Sequence, residues 1–469
     1  MNYRRCMPTA IAFLAIACVS GTWAQTPNGR IVLEPTTRPN SHPAQMKLTL
    51  DDAIATALRN SKTLRAGVEA ILKARGRVNE AKSAYLPTAS SDTQFIHLDS
   101  GTSAQIPISP TEVATIPIVM QDQKQVSITA AVPLDIMGEI KAAVDAAQFG
   151  LIATRLDYDR ARNQLVADVK SAYYNVLRAR AFQDVAEQAL KNAEDRRSTS
   201  DAYLRAGTGT KFDVLRAETE VANARQNLIA AKNRVTLAIA ALNNVLSLDQ
   251  NTPLEVADVA GQDQPPVKGF DQAVEEAYRM RPEILQAEAG IHAAEKGIHL
   301  AKRAYLPSAG LAWVFQYTPD SGDFSPKETS WSAVLKVTIP IFDGGVTAAK
   351  VQQAKADVNT AKLAKLQAQD GIALEARQAY LNVVEAQDRL NVTSAALAQA
   401  EEQYRLAQVR FKAGVTQTPG GSPLLEISDA QTALTQAQSN RINAQYDLQD
   451  AIAKLERAMG RYAQTPAGK

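Results

Sequence analysis

The ten residues AKSAYLPTAS, Ala81–Ser90, return as AKRAYLPSAG at Ala301–Gly310, a constant 220 positions later. Proline pushes the residue before it out of the α region, so Leu86-Pro87 and Leu306-Pro307 each mark a helix end. Beyond each proline the period changes. Leu311, Trp313, Phe315 and Tyr317 alternate with smaller or polar neighbours, as do Val126, Ile128, Ala130, Val132 and Leu134 with Ser127, Thr129, Ala131 and Pro133. A period of two is that of a strand with one apolar and one polar face. The phrase therefore reads as a helix-to-strand junction written twice.

Working outward from it, the repetition extends over the chain. At the offset of 220, Leu50-Asp51 aligns with Phe270-Asp271, Ala53-Ile54 with Ala273-Val274 and Arg59 with Arg279. At an offset of 207, Val132-Pro133-Leu134 aligns with Ile339-Pro340-Ile341, Ala172-Tyr173 with Ala379-Tyr380 and Ala206-Gly207 with Ala413-Gly414. At 213, Asp213-Val214 matches Glu426-Ile427 and Thr219 matches Thr432. Two copies of a unit of about 200 residues are expected to be related by pseudo-symmetry.

Each unit has the order helix, strand, strand, long helix, shorter helix. Asp51–Ala84 and Asp271–Ala304 carry apolar residues at helical spacing and are expected as one helix each. The stretches Asp99–Lys124 and Pro319–Ser330, rich in Pro, Gly, Ser, Thr and Asp, read as loops between the strands of each pair. Met137–Ala206 and Gly344–Ala413 then give helical patterns of about 70 residues, roughly 105 Å at 1.5 Å per residue. The shorter helices, about 34 residues before the strands and about 36 after the glycine turns, together match that length, so two stacked end to end fit beside one long one. Val351, Ala354, Val358 and Ala361 make one apolar seam, and Ala349, Ala356 and Leu363 another on a different side. A helix with two seams has neighbours on both sides, as in a wall.

The 469 residues include 51 basic and 49 acidic ones, a net charge of +2, which gives no polyanion-binding surface and excludes nucleic acid as an expected partner. The N-terminus has the form of an export signal: Arg4 and Arg5, the apolar stretch Ala10–Val19 and the small residues of Thr22-Trp23-Ala24. Cleavage after Ala24 removes Cys6 and Cys18 and leaves a neutral, thiol-free chain. Leu14-Ala15-Ile16-Ala17-Cys18 also resembles a lipoprotein box, although Ala15 stands where that box prefers a larger aliphatic residue. The expected plan is a signal peptide at 1–24, a Pro-rich segment at 25–47, a first repeat at 48–250, a linker at 251–269, a second repeat at 270–461 and a tail at 462–469.

Four strands per chain pose a closure problem. An open sheet edge in lipid leaves N–H and C=O groups unpaired at several kcal/mol each, and four strands are too few to close on themselves. Strands must be shared between chains: two chains give eight, three give twelve with room for a lumen. Trp313, Phe315, Tyr317 and Trp331 suit a lipid face or an interfacial girdle.

The duplicated order of helix, Ala-Tyr-Leu-Pro, strand pair, long helix, Ala-Gly turn and helix resembles the outer membrane efflux protein family typified by TolC. The resemblance covers essentially the whole mature chain. It implies a mixed α+β membrane protein: a homotrimer in which four strands per protomer form a shared 12-stranded barrel in outer-membrane lipid, continued by a long α-helical barrel in the periplasm. It also implies a passive exit duct of a tripartite efflux or type I secretion system in a Gram-negative bacterium. That duct would be docked to a periplasmic adaptor (membrane fusion) protein and an inner-membrane RND or ABC transporter.

Two helical tips carry the candidate site residues. Gly207 stands where a long helix ends and Asp213 near the start of the next, where a carboxylate suits the positive end of the helix dipole. Such an αα-hairpin turn is also an ordinary structural device. The resemblance implies that Gly207, Thr208 and Asp213 of the first tip, and Lys412, Gly414 and Val415 of the second, meet the adaptor. Glu426-Ile427-Ser428-Asp429-Ala430 resembles the family's Asp-Val-Leu-Asp-Ala segment, which implies that Glu426 and Asp429 form the channel gate. They lie three residues apart, hence on one helical face. Three chains would bring six carboxylates around one axis, a ring that favours cations. Thr418-Pro419-Gly420-Gly421-Ser422-Pro423 makes the second tip longer than the first, and the family's gate-locking residues have no clear counterpart there.

Enzymatic readings find no support. His292 and His299 are seven apart with Glu295 between, not the spacing of a zinc-binding helix, and no P-loop, dinucleotide fingerprint or nucleophile elbow is present. No catalytic residue, cofactor or metal is expected. The rival reading is a periplasmic adaptor or coiled-coil scaffold, but an adaptor usually has one central helical hairpin, and here two hairpins alternate with two strand pairs. A diffusion porin leaves the long helices unexplained.

Overall fold

A computed structural model describes residues 46–109, 112–258, 267, 269–319, 328–413, 415 and 423–464. All lie in one compact unit, Gln45–Lys469. The signal peptide with Cys6 and Cys18, most of the Pro-rich segment, Gly414, the second-tip insertion at 416–422 and the tail from 465 lie outside the described residues.

The elements in order are β1 (Met46–Leu48), α1 (Leu50–Asn60), α2 (Lys62–Ser83), β2 (Thr88–His97), β3 (Thr102–Ser109), β4 (Glu112–Val119), β5 (Asp122–Leu134), α3 (Glu139–Arg205), α4 (Lys211–Val245), β6 (Leu254–Val256), α5 (Phe270–Met280), α6 (Pro282–Arg303), β7 (Ser308–Tyr317), β8 (Thr329–Thr338), α7 (Val346–Ala413), α8 (Pro423–Ala458) and a 3-10 turn at Arg461–Gln464. The long helices α3 and α7 have 67 and 68 residues. Both copies of the Ala-Tyr-Leu-Pro phrase fall between a helix end and a strand start.

Two expectations need correction, and a third feature had no expectation to meet. The helices before the strands are each broken in two, at Ser61 and at Arg281, positions 220 apart. Ser61 leaves the helical region (φ −54, ψ 122) because its hydroxyl accepts from the Leu64 amide and caps the second segment. Arg281 is extended (φ −76, ψ 127) because Pro282 follows it. Second, the Asp99–Lys124 stretch is not a loop: it holds the β3–β4 hairpin and the start of β5. Its prolines hid a period of two, and proline is tolerated in such a ribbon because every strand has an outer edge. Third, β1 and β6 form a parallel pair too short for any periodicity to show.

Near the strands, α2, α3, α6 and α7 lie side by side in that order, and toward the tips the order is α4, α3, α8, α7. Each long helix thus runs beside short ones, as their lengths suggested. Buried alanines mark these helix faces, Ala193, Ala217 and Ala231 in the first copy and Ala400, Ala407 and Ala437 in the second. Alanine at a contact lets helix axes approach to the short end of the usual 8–10 Å range. Where the short helices meet, two related cores form. One joins Val176, Leu242 and Leu246, the other Val383, Leu455 and Met459. Fully buried Tyr173 donates its hydroxyl hydrogen toward the carbonyls of Leu48 (3.0 Å) and Ala257 (2.6 Å), which fastens β1 and β6 to α3. Desolvation raises its pKa to about 12, so the phenol stays a donor.

Four strands make one antiparallel sheet in the order β2-β5-β7-β8, leaving β2 and β8 as edges. The register places Ile128 opposite Phe315, and Phe315 opposite Trp331. It aligns Val132, Leu311 and Leu335 in the same way. Where β5, β7 and β8 pair, that face is therefore largely apolar, while β2 adds Ser91, Thr93 and His97 to it; Trp331 is nevertheless 71% and Leu335 63% exposed. The helices repeat this pattern. On α7, Val351, Ala354, Val358 and Ala361 turn toward neighbours, while Ala349, Ala356 and Leu363 stay exposed. No helix among the described residues is long and apolar enough to cross a membrane.

Candidate functional site

The first tip is shaped by one glycine and one capping box. Helix α3 ends at Ala206, and Gly207 takes φ +74, the left-handed region that a side chain opposes. The amide of Thr208 then donates to the Tyr203 carbonyl (3.0 Å) and that of Gly207 to Leu204 (3.1 Å), a pairing that satisfies the last helical carbonyls. Thr210 opens α4: its hydroxyl oxygen accepts from the Asp213 amide (3.2 Å), and the Asp213 carboxylate accepts from the Thr210 amide (3.4 Å). Asp213 is thus a helix cap.

The second tip comes against the first. The Tyr203 hydroxyl donates toward the carbonyls of Lys412 (3.3 Å) and Phe411 (3.5 Å), and its ring meets Phe411 edge-on at 6.2 Å. Phe411 sits in a small core with Ala407, Leu424 and Ile427. Thr208, Asp213 and Lys412 line one cavity of about 350 Å³ between the tips. Val415, whose amide donates to Arg410 (3.1 Å), is exposed, and nothing lies within 4 Å of a side chain built at Gly207. Gly414 lies outside the described residues.

The two acids of α8 differ in setting. Glu426 is part-buried and pairs with Arg410 of α7 at 3.4 Å, while Asp429 is exposed. Between them, the Ser428 hydroxyl donates to Glu220 of α4, which also meets the buried Arg196 of α3 at 3.4 Å. Gln431 accepts from Asn192 (3.0 Å). This polar chain ties α8 to α3 and α4 just beside the candidate gate. Tyr203, Phe411, Arg410 and Glu220 were not singled out in the sequence. Each occurs once at its place in the duplication, so no repeated phrase marked it.

At the other end of the short helices a second ionic cluster crosses four elements. Arg281 at the α5–α6 break pairs with Glu283 (2.6 Å) and with Glu375 of α7, which also binds Arg457 of α8. Burial pushes Glu283 up, but the Arg281 guanidinium hydrogen-bonded to it more than offsets this and holds it below the usual carboxylate range. Arg461 beside Glu276 (2.6 Å) likewise lowers that carboxyl. His292 leans on Glu295 (3.1 Å) and on the Phe149 ring, and no cluster of metal-ligating side chains occurs among the described residues.

Comparison with known proteins agrees with this geometry. The profile of the family described as Outer membrane efflux protein matches residues 53–247 and 273–461, the two copies of the duplication. The chain is similar to the probable efflux pump outer membrane protein TtgC of Pseudomonas putida, 26% identical over 88% of this chain and 82% of that one. It is similar in structure to a membrane protein from Pseudomonas aeruginosa, with 25% identity, a TM-score of 0.69 and coverage of 88% of this chain and 93% of that one. The fold also matches the outer membrane protein VceC of Vibrio cholerae, with 19% identity, a TM-score of 0.68 and coverage of 88% and 96%. With a duplicated helix-and-strand unit that the profile matches copy by copy, this chain belongs to the outer membrane efflux protein family.

Proposed function

We propose that three copies of this chain form a passive exit duct through the outer membrane, the channel component of a tripartite efflux or secretion system. Docking to a periplasmic adaptor and to an energised inner-membrane transporter of the RND or ABC class belongs to the same reading. One observation carries it: an apolar-faced sheet whose two edges, β2 and β8, have no partner strand among the described residues. In hydrocarbon those edges need partners, and β8 of one chain against β2 of the next, taken three times, gives a twelve-stranded barrel with a lumen. The exposed seam of α7 and exposed Leu215, Ile229 and Leu237 of α4 support side-by-side closure of the helical wall.

In this reading Gly207, Thr208, Asp213, Lys412, Gly414 and Val415 present the tips to the adaptor, and Glu426 and Asp429 set a cation-favouring constriction. The family is one of channels, and the energy for transport comes from the partner. Outer-membrane fractionation with gel mobility before and after heating tests it, followed by cross-linking from Thr208→Cys to the adaptor. A heat-modifiable trimer that captures an adaptor is expected; a soluble periplasmic monomer would overturn the reading.

A further inference from the structure

The sheet register assigns every strand residue to one of two faces. On the face opposite Trp313 and Leu335 the side chains are small or uncharged, such as Gln94, Gln125, Thr129 and Ser332, with two exceptions among the described residues: Asp92 and Lys336. Both break the duplication. Lys336 stands where the first copy has Thr129, 207 positions earlier, and Asp92 where the second has Ala312, 220 later.

Neither charge serves the sheet. Lys336 is exposed and stands opposite Gly310, which offers no side chain, and its ammonium group has no ion pair or hydrogen bond among the described residues. Thr129 fills the equivalent place, so the strand does not need a cation there. Asp92 is opposite Ser127, and that row continues through Gln316 to Ser330. Lys336 lies six residues along β8 from Ser330, so the two charges are about 20 Å apart along the strands. Lys336 is the one nearer the helices.

We propose that Lys336 is a selectivity-determining residue of the barrel. In the trimeric duct, on which this inference rests, three Lys336 ammonium groups surround the lumen where the helical tunnel meets the sheet. They draw anionic solutes, carboxylates in particular, past the end of a sheet whose other side chains on that face, such as Thr88, Ser308 and Thr338, are uncharged. The sign is opposite to that of the acids at the tips, so the two ends of the conduit select differently. A fixed charge on the wall of a low-dielectric barrel acts within one Debye length, so the effect belongs to dilute salt.

The test uses Thr338→Cys, two residues along on the same face, as a local reporter in the full-length trimer reconstituted in phospholipid vesicles. Its reaction rates with an anionic and a cationic methanethiosulfonate are compared, with the unsubstituted chain treated in parallel. In about 10 mM salt the anionic-to-cationic rate ratio is expected to fall about fivefold when Lys336→Gln is added, and the difference to vanish near 1 M. A ratio unchanged by Lys336→Gln overturns the proposal while leaving the duct intact. A Thr338→Cys trimer that reacts with neither reagent removes the lumen, and with it the duct.

Discussion

Replacing Ala333 by arginine puts a guanidinium on the apolar face midway along β8, whereas replacing its neighbour Ser332 puts the same group on the polar face one residue earlier. Strand β8 has 10 residues. At about 3.3 Å each and a tilt of about 40° it crosses about 25 Å, the height of an outer-membrane hydrocarbon band. Ala333 lies opposite Trp313, which lies opposite Ala130, so all three stand near the middle of that band. Arginine facing lipid at the midplane costs about 2–4 kcal/mol, hence about 6–12 kcal/mol over three chains, while an arginine facing a water-filled lumen costs close to nothing. Urea titration of the vesicle-inserted trimer, read as loss of the heat-modifiable band, is the assay. Ala333→Arg should shift the transition strongly and Ser332→Arg should not. Equal losses, or the reverse ranking, would refute the assignment of faces on which the barrel depends.

Further outcomes follow from the tips and the ionic clusters. Gly207→Ala has open space around the new side chain but keeps a φ of +74, so the cost is backbone strain of about 1–2 kcal/mol. Hydrogen exchange should accelerate at the Thr208 and Gly209 amides with the sheet unaffected, and unchanged exchange would contradict the left-handed turn. Because Arg410 already offsets Glu426, Asp429→Asn should lower the cation preference of the planar-bilayer conductance more than Glu426→Gln does; the opposite order would show that the ion pair opens in the conducting state. Glu276, hydrogen-bonded by Arg461, has its folded pKa held below the ordinary 4.5. The unfolded chain therefore binds more protons in that range, so this stabilisation is complete above about pH 4.5 and is lost as pH falls through the folded value. Glu276→Gln should flatten the decline of the urea midpoint between pH 5 and 3, and an unaltered slope would place the acid sensitivity elsewhere.

The architecture was legible because duplication wrote it twice. Ala-Tyr-Leu-Pro fixed the helix-to-strand junctions, and the period of two exposed β5 and β7 with their apolar faces. The long helices showed through their length, although packing on alanine leaves them little amphipathic contrast. Other features escaped. The break at Ser61 depends on a side chain bonding its own backbone, and a serine in a helical pattern is ambiguous until the cap is seen. The β3–β4 hairpin was hidden by prolines that normally signal loops. At the tips, Gly207 and Asp213 could be found from turn and capping chemistry, but the partners that decide their setting could not. Tyr203 meets Phe411 across 208 positions, and Ser428 meets Glu220 across the same span, contacts that only the side-by-side order of α4, α3, α8 and α7 creates.

In the proposed duct the sheet left open at β2 and β8 is finished by sister chains, and the mass of the detergent-solubilised particle tests that directly. Light scattering corrected for bound detergent should give three chain masses, persisting on dilution and collapsing to one only on heating. A monodisperse particle of a single chain with its strands intact would contradict it.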